Sequence, residues 1–520
     1  MTVLTRLRPW LLAVLAGLAQ AASIASPLDS APVWWLQCLS VAGLVALLDR
    51  AAGARSAFLL AWAFATAWLC GTFWWLFTSM HTYGGLAAPL AVLAVLGLAA
   101  FLGLYYAAAG AAYRALRPWG LWCRSLVFGG VWLVAELLRG TWFTGFPWGA
   151  GGYAHVDGSA HWLAPLVGVY GVGAFAAGLS AALAGAFARR QPVRGGVVVV
   201  ISLLMAYWPQ SAPVPAALAP LSVSLLQGNI PQDEKFQPGS GVPLALEWYA
   251  QQLQDSKDSL VVAPETAIPI LPQDLPEGYA DALRKRFGSG AQAALIGIPL
   301  GNASAGYSNA AIGLKPGQAS VYVYEKHHLV PFGEFVPPLF RWFTEMMNIP
   351  LGDFRRGDVG QPSFDWMGQR LAPNICYEDL FGDELARRFV DPASSPTIFV
   401  NVSNIGWFGD SVAIDQHLNI SRMRALEFAR PVVRATNTGA TVVIDDRGMV
   451  TASLEPYTRG VLRTQVVGRA GVATPYARWA SRFGHAPLWI FGWLMVALAG
   501  VLPMISRAAG RNRSSALPGA

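Results

Sequence analysis

The chain is short of charge. Asp, Glu, Lys and Arg make up 13% of its 520 residues, and its mean hydropathy is +0.40. A water-soluble domain usually carries roughly a quarter charged residues, so a chain that is soluble throughout is excluded and a large membrane part is required. Outside residues 211–480 acids nearly vanish: that region has 22 Lys+Arg and 26 Asp+Glu, net −4, and the remainder has 15 and 4, net +11. The overall +7 therefore belongs to the apolar segments, and no nucleic-acid partner is expected. There are four cysteines; Cys38, Cys70 and Cys123 lie in apolar runs, and Cys376 alone lies in the polar region. No internal repeat, no G-x-x-x-x-G-K-[ST] phosphate loop and no H-E-x-x-H zinc pattern occurs. His327 and His328 are adjacent and point to opposite faces of a strand, so neither a metal nor another cofactor is expected.

What is present is a series of apolar runs. A membrane helix needs about 20 such residues. Candidate spans fall near 9–26, 33–49, 56–79, 87–113, 122–139, 162–188 and 195–210, with another near 486–506. Arginines mark alternate connections: Arg6 and Arg8, Arg50 and Arg55, Arg114, Arg117 and Arg124, Arg189, Arg190 and Arg194, then Arg507, Arg511 and Arg513. The connections near 27–32, 80–86 and 140–161 have none. The positive-inside rule makes the arginine-bearing side cytoplasmic, which places residues 211–480 outside the cytoplasm. The first run also reads as a signal peptide ending at Ala19-Gln20-Ala21, and parity survives that reading. The expected division is a seven-helix membrane region over 1–210, an extracytoplasmic domain over 211–480, a last span over 481–510 and a cytoplasmic tail over 511–520. In an oxidising compartment an unpaired cysteine is unusual.

Within the spans, Glu136 and Arg139 are three apart and suit structural pairing on one helix face. The loop 141–155, "TWFTGFPWGAGGYAH", reads either as a wall of a lipid entry path or as an aromatic belt.

From about residue 221, short β-branched or apolar runs alternate with amphipathic stretches. Strands are predicted over 221–230, 259–268, 292–300, 321–326, 369–378, 396–404, 431–445 and 460–467, and helices over 242–255, 279–288 and 415–430. That alternation is an α/β signature with a buried sheet, and in such sheets functional residues gather where strands end. Three ends stand out: "VVAPETAI" reaches Glu265, "VYVYEKHH" reaches Lys326, and "LAPNICYED" reaches Cys376. Singly, each has an ordinary structural reading, the cysteine as core filler and the other two as surface charges. Together they form a coherent chemistry. A thiol needs a base at neutral pH, and Glu265 supplies one. Attack on an acyl carbon creates an oxyanion that Lys326 can hold. A thioester forms and a second nucleophile resolves it.

These residues resemble the Glu–Lys–Cys set of the nitrilase superfamily. The run "KHHLVPFGEF", several spans before the domain and one after it make the chain similar to the apolipoprotein N-acyltransferase family of bacterial inner membranes, as do "QGNIPQ" (227–232), "NVSNIGWFGDSVAIDQH" (401–417) and "RMRALEFARPVVRATNTG" (422–439). The resemblance implies an α-β-β-α nitrilase sandwich on eight membrane helices. It implies transfer of a phospholipid acyl chain, through a cysteine thioester, to the α-amine of an S-diacylglyceryl cysteine on an apolipoprotein. Cys376 is then the nucleophile, Glu265 the base and Lys326 the oxyanion holder; Glu334 supports the lysine, and Tyr377 and Glu378 flank the nucleophile. Phe236 stands where the family often has tryptophan, keeping the ring and losing the indole N–H. Phe236, Trp148, Phe340, Trp342, Phe343 and Trp407 are candidate substrate contacts. The segment 337–354, with Met346, Met347 and Ile349 beside its aromatic residues, reads as a mobile membrane arm or as a core helix. A monomer is expected. The rival readings are a membrane-anchored amidase or nitrilase using the same triad with water, and a non-catalytic scaffold.

Overall fold

The computed structural model describes residues 3–116, 120–188, 215–318, 320–336 and 354–498, with single positions between 193 and 204. The chain divides into two compact units: residues 1–74, 94–210 and 485–520 form one, and residues 75–93 and 211–484 form the other.

The first unit is helical. Its elements are α1 (Val3–Ile24), α2 (Trp34–Arg50), α3 (Ala54–Phe73), α4 (Ala88–Leu116, whose first turns group with the second unit), α5 (Leu121–Thr141) and α6 (Ala164–Ala188). Among the described residues five helices are long and apolar enough to cross a membrane, and a shorter apolar helix covers Ala486–Leu498. The helix α2, at 17 residues, is shorter than those five. The expected span at 195–210 falls almost wholly outside the described residues, as does the end of the span expected at 486–506. Leu11, Leu15, Leu96, Trp122 and Phe491 point outward and are exposed, the arrangement that helices in lipid adopt. Inside the unit Glu136 and Arg139 are fully buried. Each grips the loop that follows: Glu136 Oε1 accepts from the Gly151 N–H at 2.7 Å, and Arg139 donates to the Phe146 and Trp148 carbonyls at 3.0 and 2.7 Å. Trp142 and Phe143 of that loop are exposed, whereas Trp148 is 3% exposed.

The second unit is built on two six-stranded sheets. One has the order β12-β1-β2-β3-β4-β5 and the other β11-β10-β9-β8-β7-β6. In the first, β1 (Ala216–Gln227), β2 (Leu260–Ala263) and β3 (Ala293–Asn302) are parallel; β4 (Gly306–Leu314), β5 (Tyr322–Glu325) and β12 (Gly460–Ala470) add antiparallel pairings. In the second, β7 (Gln369–Ile375), β8 (Ile398–Ser403) and β9 (Val432–Thr436) are parallel, flanked by β6 (Phe364–Trp366), β10 (Val442–Ile444) and β11 (Val450–Ser453).

Side-chain alternation sorts the strands into layers. Val223, Leu225, Leu260, Val262 and Leu295 meet Ile375, Val400, Val402 and Val433 between the sheets. The alternate residues Leu226, Val261, Ala263, Ala294 and Ile296 pack under α7 (Gly241–Asp255) and α8 (Tyr279–Gly288). Ala372, Phe399, Val432 and Val442 pack under α9 (Ala413–Phe428) and α10 (Pro475–Phe483). The result is an α-β-β-α sandwich. Strands buried on both faces explain the unbroken apolar runs in the sequence. Two antiparallel steps separate β3 from β5, so β5 runs the same way as β1, β2 and β3. Their carboxyl ends share one edge of that sheet.

Candidate active site

Each reactive side chain stands one or two residues past such an edge. Glu265 follows β2 and is 7% exposed. Its Oε1 accepts from the Asn309 amide at 2.7 Å and the Lys326 ammonium at 3.3 Å, and its Oε2 accepts from the Asn404 N–H at 2.8 Å. Lys326 follows β5, is 1% exposed, and also pairs with Glu334 at 2.9 Å. Asn309 sits on β4 and bridges the two carboxylates, donating to Glu334 at 2.8 Å as well. Burial works against the Lys326 ammonium, but Glu334 and Glu265 outweigh it and hold it protonated, above the ordinary lysine value.

Cys376 begins the turn after β7 with φ +52°. A cysteine tolerates the left-handed region only when its surroundings over-determine it, and here they do. Glu378 Oε2 accepts from the Ile375 N–H at 2.6 Å and from the Tyr324 hydroxyl at 2.8 Å. Its Oε1 accepts from the His327 N–H at 2.7 Å, next to Lys326. His417 Nε2 donates to the Cys376 carbonyl at 3.2 Å, and Arg434 on β9 donates to His417 Nδ1 at 3.1 Å. Arg434 and Ser421 together hold Asp379. One buried carboxylate, Glu378, thus ties the nucleophile's turn to the backbone beside the lysine.

The charge environment keeps the sulfur a thiol at rest. Burial first, then the neighbouring Glu265, push Cys376 up to about 12; Lys326 and the Asn404 N–H oppose them. A thiol held that high needs a base at hand. Thr266, the residue after Glu265, and Asn229 also have positive φ, +47° and +44°. A β-branched residue there is a genuine outlier, and such strain concentrates at working sites.

A polar frame joins the strand ends. Asn437, after β9, bonds both N–H and C=O of Ile230 in "QGNIPQ", and Asn404 donates to Gln232 at 2.9 Å. Three sequence motifs meet in one hydrogen-bonded set. The close approach of β3 to the base needs a glycine: a Cβ on Gly297 would lie 2.2 Å from the Pro264 carbonyl and 2.7 Å from the Glu265 Cα. Gly297→Ala is expected to lower stability by about 1–3 kcal/mol, as overpacking does. By displacing Glu265 it is expected to slow turnover roughly 100-fold. Thermal unfolding and acyl-transfer assays on the same detergent preparation check both.

Residues 13–182 match the family model described as the apolipoprotein N-acyltransferase N-terminal domain, and residues 222–473 match carbon-nitrogen hydrolase. An apolipoprotein N-acyltransferase of Verminephrobacter eiseniae is 56% identical over 92% of this chain and 93% of its own length. That of Ralstonia nicotianae is 46% identical over 93% and 90%, and that of Bordetella bronchiseptica 41% over 96% and 96%. The chain belongs to the apolipoprotein N-acyltransferase family. It is accordingly an acyltransferase within the nitrilase superfamily and a multi-pass membrane protein.

Against the expectations for such an N-acyltransferase, the fold brings Glu265, Lys326, Glu334, Cys376 and Glu378 into one cluster, with Tyr377 buried beside His328 and Phe381. Phe236 is 47% exposed, and Trp407 is half-buried with its ring 5.9 Å from that of Tyr83. Trp148 belongs to the first unit. Phe340, Trp342 and Phe343, with the whole of 337–353, lie outside the described residues. Asn309, Asn404 and Asn437 are not among the candidate residues read from the sequence, although Asn404 closes the run expected as a strand over 396–404. Their signal there is confined to short polar insertions in apolar runs.

Proposed function

We propose that this chain transfers a fatty acyl group from a membrane phospholipid to the α-amine of an N-terminal S-diacylglyceryl cysteine on apolipoproteins. The observation that carries the reading is the union, in one cluster, of a strained and partly buried cysteine, a buried acceptor carboxylate and a buried lysine with two carboxylate partners, in a chain with at least five membrane-length helices.

The Cys376 sulfur attacks the ester carbonyl as its proton passes to Glu265. Lys326 holds the oxyanion, and collapse expels the lysophospholipid alkoxide, which takes the proton back from Glu265. The thioester carbonyl then meets the acceptor amine. Glu265 removes an amine proton, an amide forms, and the sulfur leaves as thiolate and is reprotonated. Glu334 and Asn309 fix the geometry of the two charged groups. No metal or other cofactor enters the scheme.

Residues 211–480 serve as the catalytic domain on the periplasmic face of the inner membrane, between a seven-helix region over 1–210 and a last span over 481–510, with 511–520 cytoplasmic. The arginines of the alternate connections support this orientation. Substrates that are both lipid-anchored require a site at the membrane surface, and the protein works as a monomer without nucleic acid.

The test supplies acyl-labelled phospholipid and a peptide beginning with S-diacylglyceryl cysteine to the detergent-solubilised protein. Amide-linked label is expected on the peptide and none on its N-acetylated twin. Free fatty acid in place of the amide would instead support the carbon–nitrogen hydrolase reading, with water as acceptor.

A further inference from the structure

A second lysine is buried at the same centre. Lys235 lies in the loop after β1 and is 1% exposed. Its Nζ donates to the main-chain carbonyl of Glu265 at 3.1 Å. Its loop is pinned on the other side, because Gln232 accepts from Asn404, whose own N–H binds the Glu265 carboxylate. The helix α7 closes over it: a Cβ on Gly241 would lie 2.8 Å from the Lys235 Cα. A lysine this buried is rare without a carboxylate partner, so a reason for its charge is needed.

We propose that Lys235 is a positioning residue for the acyl transfer, holding the Glu265 main chain and supplying the second buried positive charge that balances Glu265 and Glu334. The groups that act on it are Glu265, from the end of β2, and Cys376, from the turn after β7. Asp233 and Glu234 on its own loop are exposed and half-exposed. Lys326 and Glu334 lie one side chain further, through Glu265. With both lysines charged, two ammonium groups offset Glu265 and Glu334, the two carboxylates paired with Lys326, while Glu378 is held by the Ile375 and His327 N–H groups and the Tyr324 hydroxyl. In the reaction the negative charge of Glu265 moves onto the substrate oxygen, and two cations then face it. Without Lys235, Lys326 alone faces both Glu334 and the oxyanion, and the centre is net negative once the oxyanion has formed. Burial pushes Lys235 down to about 7, and Glu265 and Cys376 only partly offset this. Its charge is therefore lost as pH rises through the neutral range.

The inference rests on the reading of Glu265 as the base, and its test separates the two. The rate of thioester formation on full-length protein in detergent is followed by intact mass from pH 5.5 to 9, for wild type, Lys235→Met and Lys235→Arg, with thermal unfolding of each. The wild-type rate is expected to fall on the alkaline side with a midpoint near 7. Lys235→Arg, whose guanidinium stays charged, moves that limb upward. Lys235→Met removes the limb and runs about tenfold slower below it, the size of one nearby charge. A lowered unfolding temperature with an unmoved profile in both variants would show a purely structural lysine and overturn the inference. If Lys235→Met does not fold, the position of the limb in Lys235→Arg decides. If wild type forms no thioester at any pH, the acyl-transfer reading fails and this inference with it.

Discussion

Cys376→Ala abolishes acyl transfer by at least about 10⁴-fold, the scale on which an enzyme loses its nucleophile, while the protein remains folded. The reason is that the acyl chain is carried on the Cys376 sulfur, and alanine offers no nucleophile in its place. Cys376 stands at the turn where Glu265, Lys326 and Glu334 all act on it. Its backbone is held by His417 and the Glu378 network and does not depend on the sulfur. Alanine at φ +52° bears a strain similar to that of cysteine, so the unfolding temperature should move little. Labelled phospholipid given to the variant should yield neither a protein adduct nor product. Residual turnover within tenfold of wild type would place the chemistry on another group.

Glu265→Gln gives the second large effect, a loss of about 10³-fold, within the range for a general base. The substitution keeps the shape and removes the proton acceptor. It also places an amide where three donors converge: Asn309, Lys326 and the Asn404 N–H. One of them then meets another donor, at a cost of about 1–3 kcal/mol. Glu265 is also one of the groups that push the resting thiol up, so removing its charge lowers the thiol's pKa: alkylation by iodoacetamide, a neutral probe that reports thiolate formation without lipid, is expected to be no slower in the variant while acyl transfer falls. Acyl transfer within tenfold of wild type would mean that another group takes the proton.

Much of this architecture is legible in the chain, and the exceptions share a cause. Strands buried on both faces, such as β2 and β8, show as apolar runs, and the amphipathic helix expected at 279–288 is present at those residues. The strand β4, "GYSNAAIGL", is built of small residues with little β-propensity and escapes notice, though it carries Asn309. The run 431–445 reads as one strand and folds as two, because "TNTG" turns the chain and lets Asn437 reach back to Ile230. The apolar run expected to span to residue 79 leaves its helix at Phe73. Its continuation is apolar for a different reason: Trp75 is buried against Phe408 and donates to Gln416 within the second unit. Hydropathy does not distinguish burial in lipid from burial in protein. Lys235 and the asparagines of the frame are placed by tertiary contacts alone, and a single buried polar residue leaves no periodicity to read.

The most direct measurement is a pulse and chase followed by intact mass. Wild-type protein in detergent is given phospholipid, freed of it, and then offered a peptide beginning with S-diacylglyceryl cysteine. The account predicts a gain of one fatty acyl group at Cys376, stable until the peptide is added, then lost as the same acyl group appears in amide linkage on the peptide. An adduct that decays to free fatty acid at one rate with or without the peptide, or no adduct on folded protein with lipid present, contradicts it.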